Sequence, residues 1–176
     1  MPAGKREQES RLATAITFVI AVVFLVPSCG RSVPPLAGGA SSKLELARGV
    51  AAAFEKADVP ALHALTLSEE EFRDHVWPEL PAARPERNLP FSFVWGDLHQ
   101  KSEASLSKTL AATRGRRLKI VSVQQLGATS QYKSYVVHRQ TQLTVEDGDG
   151  RVEQLRLFGS ILEKNGQFKV FSYVTD

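Results

Sequence analysis

Apolar side chains follow three different rhythms along this chain. From Leu12 to Gly30 no charged residue occurs, and Ala13–Val26 is a nearly unbroken apolar run. Over residues 43–56, Leu44, Ala47, Val50, Ala51 and Phe54 recur at intervals of three and four, which places them on one face of a helix. Beyond Arg117 apolar and polar positions alternate, as they do in half-buried strands. The order read from the pattern is an apolar leader, then helices, then a sheet.

Between the leader and the first helix, residues 31–42 are rich in Pro, Gly, Ala and Ser, a composition that solvates easily and reads as a flexible tether. After the helix at 43–56, Asp58 can cap a second one running to Leu65, with Pro60 tolerated in its first turn. The stretch TLSEEEF carries a capping box: Ser68 at the N-cap, Glu71 three residues on, and Leu67 and Phe72 at hydrophobic-staple positions. A helix is therefore predicted from Glu69, ending near Trp77 because Pro78 disfavours helical geometry in the residue before it. The three glutamates suit the positive end of the helix dipole, a better account of them than a metal site.

Prolines 78, 81, 85 and 90 make WPELPAARPERNLP a long irregular connector and a candidate lid. FSFVW then reads as a short extended piece leading into a helix that ends at Gly115, with Leu98, Leu106 and Leu110 in its buried stripe. Arg114, Arg116 and Arg117 around that glycine are a solvated helix end more readily than an anion site. Four strands follow: RLKIVSVQQL, YKSYVVHRQTQLTVE, RVEQLRLFGSILE and QFKVFSYV. Asn165-Gly166 marks a two-residue hairpin turn. With Lys164 opposite Gln167, Ile161 faces Val170, Ser160 faces Phe171, Phe158 faces Tyr173 and Leu157 faces Val174. Both faces of that hairpin are then partly apolar, so both should be covered. The predicted fold is α+β, N-terminal helices packed on a curved four-stranded antiparallel sheet in a single domain over 43–176.

Composition narrows the setting. The first 28 residues hold three of the 22 basic and two of the 19 acidic side chains, so the remaining 148 carry 19 against 17, a net of +2. That balance argues against a nucleic-acid partner. The only cysteine, Cys29, follows the apolar run, and Lys5, Arg6 and Arg11 precede it. With Val26 at minus three and Ser28 at minus one, the segment resembles the lipobox of bacterial lipoprotein signal peptides, from which Pro27 departs at minus two. The resemblance implies cleavage before Cys29, lipidation there (a thioether-linked lipid and an N-terminal acyl chain such as palmitate), and a domain anchored in the cell envelope, facing the periplasm or the exterior. An uncleaved anchor, an ordinary secretory signal and a chance cysteine are the competing readings. A catalytic role for Cys29 is disfavoured, since a nucleophilic thiol needs a base held beside it.

Helices followed by a meander of paired strands resemble the nuclear transport factor 2-like, or cystatin-like, superfamily, with an early hairpin of that family missing here. The resemblance implies a cone-shaped sheet around a pocket and frequent dimers. Its isomerases and cyclases imply candidate pocket residues in Trp95, Asp97, His99, Tyr135 and His138, with Asp74 and His75 behind them. No cofactor is expected, and no HxxxH or HxH pair or second cysteine suggests a metal. Three functions remain open: a lipid-anchored domain binding a small apolar ligand or a protein partner without catalysis, a pocket enzyme of the isomerase or cyclase type, and a structural envelope subunit that forms a homodimer through an apolar outer sheet face.

Overall fold

The computed structural model describes residues 35–175; the leader, Cys29 and the first part of the tether lie outside them. The described residues belong to one compact unit. Helix α1, Lys43–Lys56, starts where the Ser42 side chain accepts from the Glu45 amide; it buries Ala47, Val50, Ala51 and Phe54 as the spacing predicts, while Leu46 is buried in addition and Leu44 only partly. It ends at Ala57, held in the left-handed region at φ 52°. Helix α2, Val59–Ala64, is capped by Asp58, whose carboxylate accepts from Ala61. The tether gives way to packed chain earlier than Ser42: Leu36 is buried, and Ala40 exchanges two 2.9 Å backbone hydrogen bonds with Phe168.

The capping box forms as read. Ser68 accepts from the Glu71 amide and Glu71 returns a carboxylate to the Ser68 amide, starting the single turn α3, Glu69–Glu71. The chain then widens into a π-helical turn, Phe72–Val76, which brings Phe72 and Trp77 onto one side, 6.0 and 5.6 Å from the ring of Phe91. Three 3-10 turns follow, Trp77–Glu79, Pro81–Ala83 and Pro85–Arg87, each with proline in its first positions. The connector is thus irregular but built of local turns. FSFVW is not extended: it forms the first turns of α4, Phe91–Thr113. Phe91, Val94, Trp95 and Leu98 stand at helical spacing and pack on one cluster. That shared apolar face outweighs the strand preference of aromatic and β-branched residues.

The expected single four-stranded sheet is two antiparallel sheets of three and four strands. The strands are β1 Lys119–Gln125, β2 Ser130–Gln131, β3 Val136–His138, β4 Thr141–Glu146, β5 Val152–Leu155, β6 Ser160–Lys164 and β7 Gln167–Ser172. One sheet runs β1-β4-β5 and the other β2-β3-β6-β7. Two of the long strands predicted from the sequence each break and cross from one sheet to the other. The first breaks at Gln140, in the left-handed region at φ 53°. The second breaks at Gly159, where a Cβ would come within 1.7 Å of the Val174 carbonyl oxygen, so only glycine permits the crossing. Thr141 donates to the Gly159 carbonyl, which stitches the two sheets at this corner.

Asn165 and Gly166 both have positive φ, as the predicted hairpin turn requires, and Lys164–Gln167 and Ile161–Val170 pair as expected. Past Ile161 the register departs from expectation, because Ser160 lies opposite Ser172 rather than Phe171. Phe171 is the extra residue of a bulge. It lets Val170 and Tyr173 reach one core while Phe171 packs on the other. Val121 plays the same part on β1, exposed between Ile120 and Val123, which pack together on the core side.

Both faces of the four-stranded sheet are covered, as the hairpin pattern implied. One face, with Ile161 and Val170, meets α1 and α2 in a core that includes Phe54, Leu62, Leu143 and Tyr173. Tyr173 lies edge-on to Phe54, donates to the Leu62 carbonyl at 3.1 Å, and has its hydroxyl pKa pushed up by burial to about 12. The other face, with Val137 and Leu162, meets Leu36, Phe72 and Val76 in a second core bordered by Trp77, Phe91 and Trp95. Phe158 and Leu162 are fully buried. Much of the apolar second face of this sheet is therefore covered within the chain.

Candidate functional site

The second face of the four-stranded sheet is not filled to its edge. Leu80 from the connector, Leu98 from α4, Tyr132 before β3, Val137 on β3 and the bulge residue Phe171 line one side of a cleft of about 600 Å³. Each follows from a local rule. Leu98 continues the Phe91–Val94–Trp95 stripe, Phe171 is turned there by the bulge, and Tyr132 is held stacked on Tyr135, ring centroids 4.4 Å apart. Polar groups complete the lining: Arg139 and Gln140 at the β3–β4 corner, Arg156 between β5 and β6, and Ser160 and Ser172. Among the described residues this lining holds no carboxylate. Its volume lies within the range usual for small-molecule sites.

A second concavity of about 470 Å³, between the chain at 35–38 and the α3 turn, is acidic, lined by Glu70, Glu71 and Asp74 with His63 and His75. Beneath it lies a buried ion pair. Lys169, 3% exposed, reaches both oxygens of Glu71 at 3.0 and 2.7 Å. Glu71 also accepts from the Ala37 amide at 2.8 Å and the Ser68 amide at 2.9 Å. Burial alone raises the pKa of this carboxyl. The hydrogen bonds from Lys169, Ser68 and Ala37 and the lysine charge outweigh it and hold the pKa below the ordinary carboxylate value. The pair ties three segments together: the strap at 35–40, the α3 cap and the middle of β7. It is a latch whose carboxylate stays ionised, the opposite of the raised pKa a pocket acid needs.

The residues singled out in the sequence fall in separate places. Asp97 is exposed and pairs with Lys101 one turn on, at 2.8 Å. His99 stacks on Trp95 at 5.4 Å, and both line a smaller cleft of about 360 Å³ beside Ser102 and Glu103. Trp95 also packs 5.2 Å from Phe72, which makes it a wall of the second core. Tyr135 is buried in that core, where its hydroxyl donates to the Val76 carbonyl at 3.3 Å and burial drives its pKa upward. His138 lies on the opposite face of β3, 2.6 Å from Glu163 and 3.2 Å from the Lys43 amine. Asp97, His99 and Tyr135 do not converge on one acid–base site, and Tyr135 and His138 do not share a face.

The sequence reading passed over Arg139, Leu98's place in the cleft, and the Glu71–Lys169 pair. One signal was available for the last. Lys169 sits in QFKVFSYV on a strand both of whose faces are apolar, so it needed a buried counter-charge. Among the described residues, no group of three or more His, Cys, Asp or Glu is placed to hold a metal ion, and no helix is long and apolar enough to cross a membrane. Set against known proteins, the chain matches no family model, no curated protein and no solved structure.

Proposed function

We propose that this chain is an envelope domain, anchored to a membrane through lipidated Cys29, that binds a small, largely apolar ligand without transforming it. The cleft over Leu80, Leu98, Tyr132, Val137 and Phe171 is the observation that carries the binding half of this reading. It is concave, mainly apolar at its base, and provided with a few polar groups, which is the usual make-up of a ligand site. The charge-free run from Leu12 to Gly30, with Cys29 near its end, supports the anchoring half. The resemblance in element order to the nuclear transport factor 2-like superfamily agrees with a pocket on the sheet.

The two halves have separate tests. Cys29→Ala should move the protein out of the membrane fraction after cell lysis; unchanged retention rejects lipidation as the tether. For the cleft, the acylated full chain is placed in nanodiscs and titrated calorimetrically with decan-1-ol against protein-free nanodiscs. Saturable binding is expected in the wild type and its loss in Ala128→Trp, which fills the cleft from an exposed loop position. Equal heats in the wild type, the variant and the blank reject the cleft as a binding site.

A further inference from the structure

We infer that the ligand of this cleft is an amphiphilic anion, an alkyl chain ending in a carboxylate or phosphate, with Arg139 as the group that engages its head. The inference rests on the binding reading above and adds the charge of the ligand to it. The base of the cleft supplies apolar contacts from Leu80, Leu98, Tyr132, Val137 and Phe171, while Arg139 and Arg156 are the charged members of the same lining. A wholly apolar ligand would leave the Arg139 guanidinium beside it unused, and a cationic one would meet like charge.

Of the other concavities, the one between the end of α4 and the end of β5 is also basic, lined by Lys108, Arg116 and Arg156, and two differ in sign. The acidic one carries Glu70, Glu71 and Asp74, and the cleft beside Trp95 carries Glu69 and Glu103. Elsewhere on the surface, Arg73, Arg116, Lys101 and Lys119 each meet a carboxylate of their own. Arg139 has no side-chain hydrogen bond or ion pair among the described residues. Its side chain is exposed, but its backbone is well fixed. It lies at the β3–β4 corner, where its carbonyl accepts from the Gly127 amide at 3.2 Å and the next residue, Gln140, is held at positive φ and accepts from Leu126 at 3.0 Å. The planar fork of an arginine so placed matches a carboxylate or phosphate with two parallel hydrogen bonds, which an alcohol cannot accept.

The test extends the nanodisc titration to four ten-carbon probes: decanoate, decyl phosphate, decan-1-ol and decylammonium. Both anions should bind about tenfold or more tightly than the alcohol, the worth of one charge-assisted pairing, and decylammonium should bind least. Arg139→Ala should weaken the anions by about tenfold and leave the alcohol unchanged, and Arg139→Lys should restore part of the difference. The ratio of decanoate to decyl phosphate separates a fatty carboxylate from a phosphate headgroup as the natural source. If the alcohol binds as well as the anions, or Arg139→Ala leaves their affinities unchanged, the charge assignment is wrong while the apolar binding site stands. If no probe binds saturably and Ala128→Trp changes nothing, the binding site itself is wrong.

Discussion

The two faces of the four-stranded sheet are covered by different means. On the first, α1 and α2 press periodic aliphatic stripes onto the strands, and Leu46, Ala47, Val50, Phe54, Leu62, Ile161 and Val170 are almost wholly out of water. On the second, a π turn, three 3-10 turns and the front half of α4 assemble a mostly aromatic cluster. Among the described residues, the apolar side chains buried in that cluster are Leu36, Leu67, Phe72, Val76, Tyr135, Val137 and Leu162, while Trp77, Phe91, Trp95, Tyr132 and Phe171 keep an edge in solvent. Close packing of regular elements yields a core without room for a guest. The irregular cover leaves the cleft. Stability and recognition are thus divided between the faces.

The largest test of that division compares two phenylalanines. Phe54, fully buried and edge-on to Tyr173, should cost about 3–5 kcal/mol when changed to alanine, read as a lowered midpoint of chemical denaturation. Phe171→Ala, at a half-buried position 6.2 Å from Phe72, should cost less than half as much and yet weaken probe binding in the cleft. If Phe171→Ala is the more destabilising of the two, the second face carries the fold and the comparison fails.

Next in size is the latch joining the second face to the strap and the α3 cap. Glu71→Gln leaves the Lys169 ammonium buried without a counter-charge and should cost about 3 kcal/mol at neutral pH. The sign with pH follows from the lowered pKa. A carboxyl held below its ordinary value of 4.5 gives its full contribution above that value and loses it as pH falls through the folded-state pKa. Denaturation midpoints of the wild type should therefore decline in acid below about pH 4.5, and in Glu71→Gln this part of the decline should be absent. A slope unaltered by the substitution would assign the acid sensitivity to other groups.

The same contrast explains what could be read from the sequence. The α1 stripe, the Ser68–Glu71 capping box and the Asn165-Gly166 turn are signals contained within a few residues, and each produced its element. The bulges at Val121 and Phe171 were not legible, since strict alternation predicts Ser160 opposite Phe171 and nothing local marks an extra residue. Phe91, Val94, Trp95 and Leu98 did carry helical spacing, masked by a strand-like composition behind Pro90. Glu71 was read as a cap, which it is. Its second role depends on Lys169, 98 residues away, and no local pattern reveals it. The residues picked for chemistry, Asp97, His99, Tyr135 and His138, were chosen by type, whereas the cleft is made mainly by apolar side chains that the folding of the second face brings together.

A smaller effect sharpens the role of Tyr135. Its hydroxyl ends on the carbonyl of Val76, the last residue of the π turn, so Tyr135→Phe removes one buried hydrogen bond and strands that oxygen. A loss of about 1 kcal/mol in denaturation is expected, with probe binding in the cleft retained. Loss of binding without loss of stability would instead place the phenol in contact with the ligand and revive Tyr135 as a pocket residue.

The smallest expected effect bears most directly on whether the second face performs chemistry. Asp97 lies on α4 two residues beyond Trp95, yet its side chain is about half exposed and meets only Lys101. Exposed pairs one helical turn apart contribute about 0.5 kcal/mol or less, so Asp97→Asn should leave the denaturation midpoint almost unchanged. Its affinity for decanoate should also match the wild type, because Asp97 is not in the cleft lining. Trp95→Ala, two residues away, removes a ring packed on Phe72 and should lower stability measurably. A carboxylate that can be neutralised without consequence beside an aromatic that cannot is the pattern of a helix that serves as a wall. An acid–base catalyst would invert it, with Asp97→Asn abolishing a turnover that Trp95→Ala only slows.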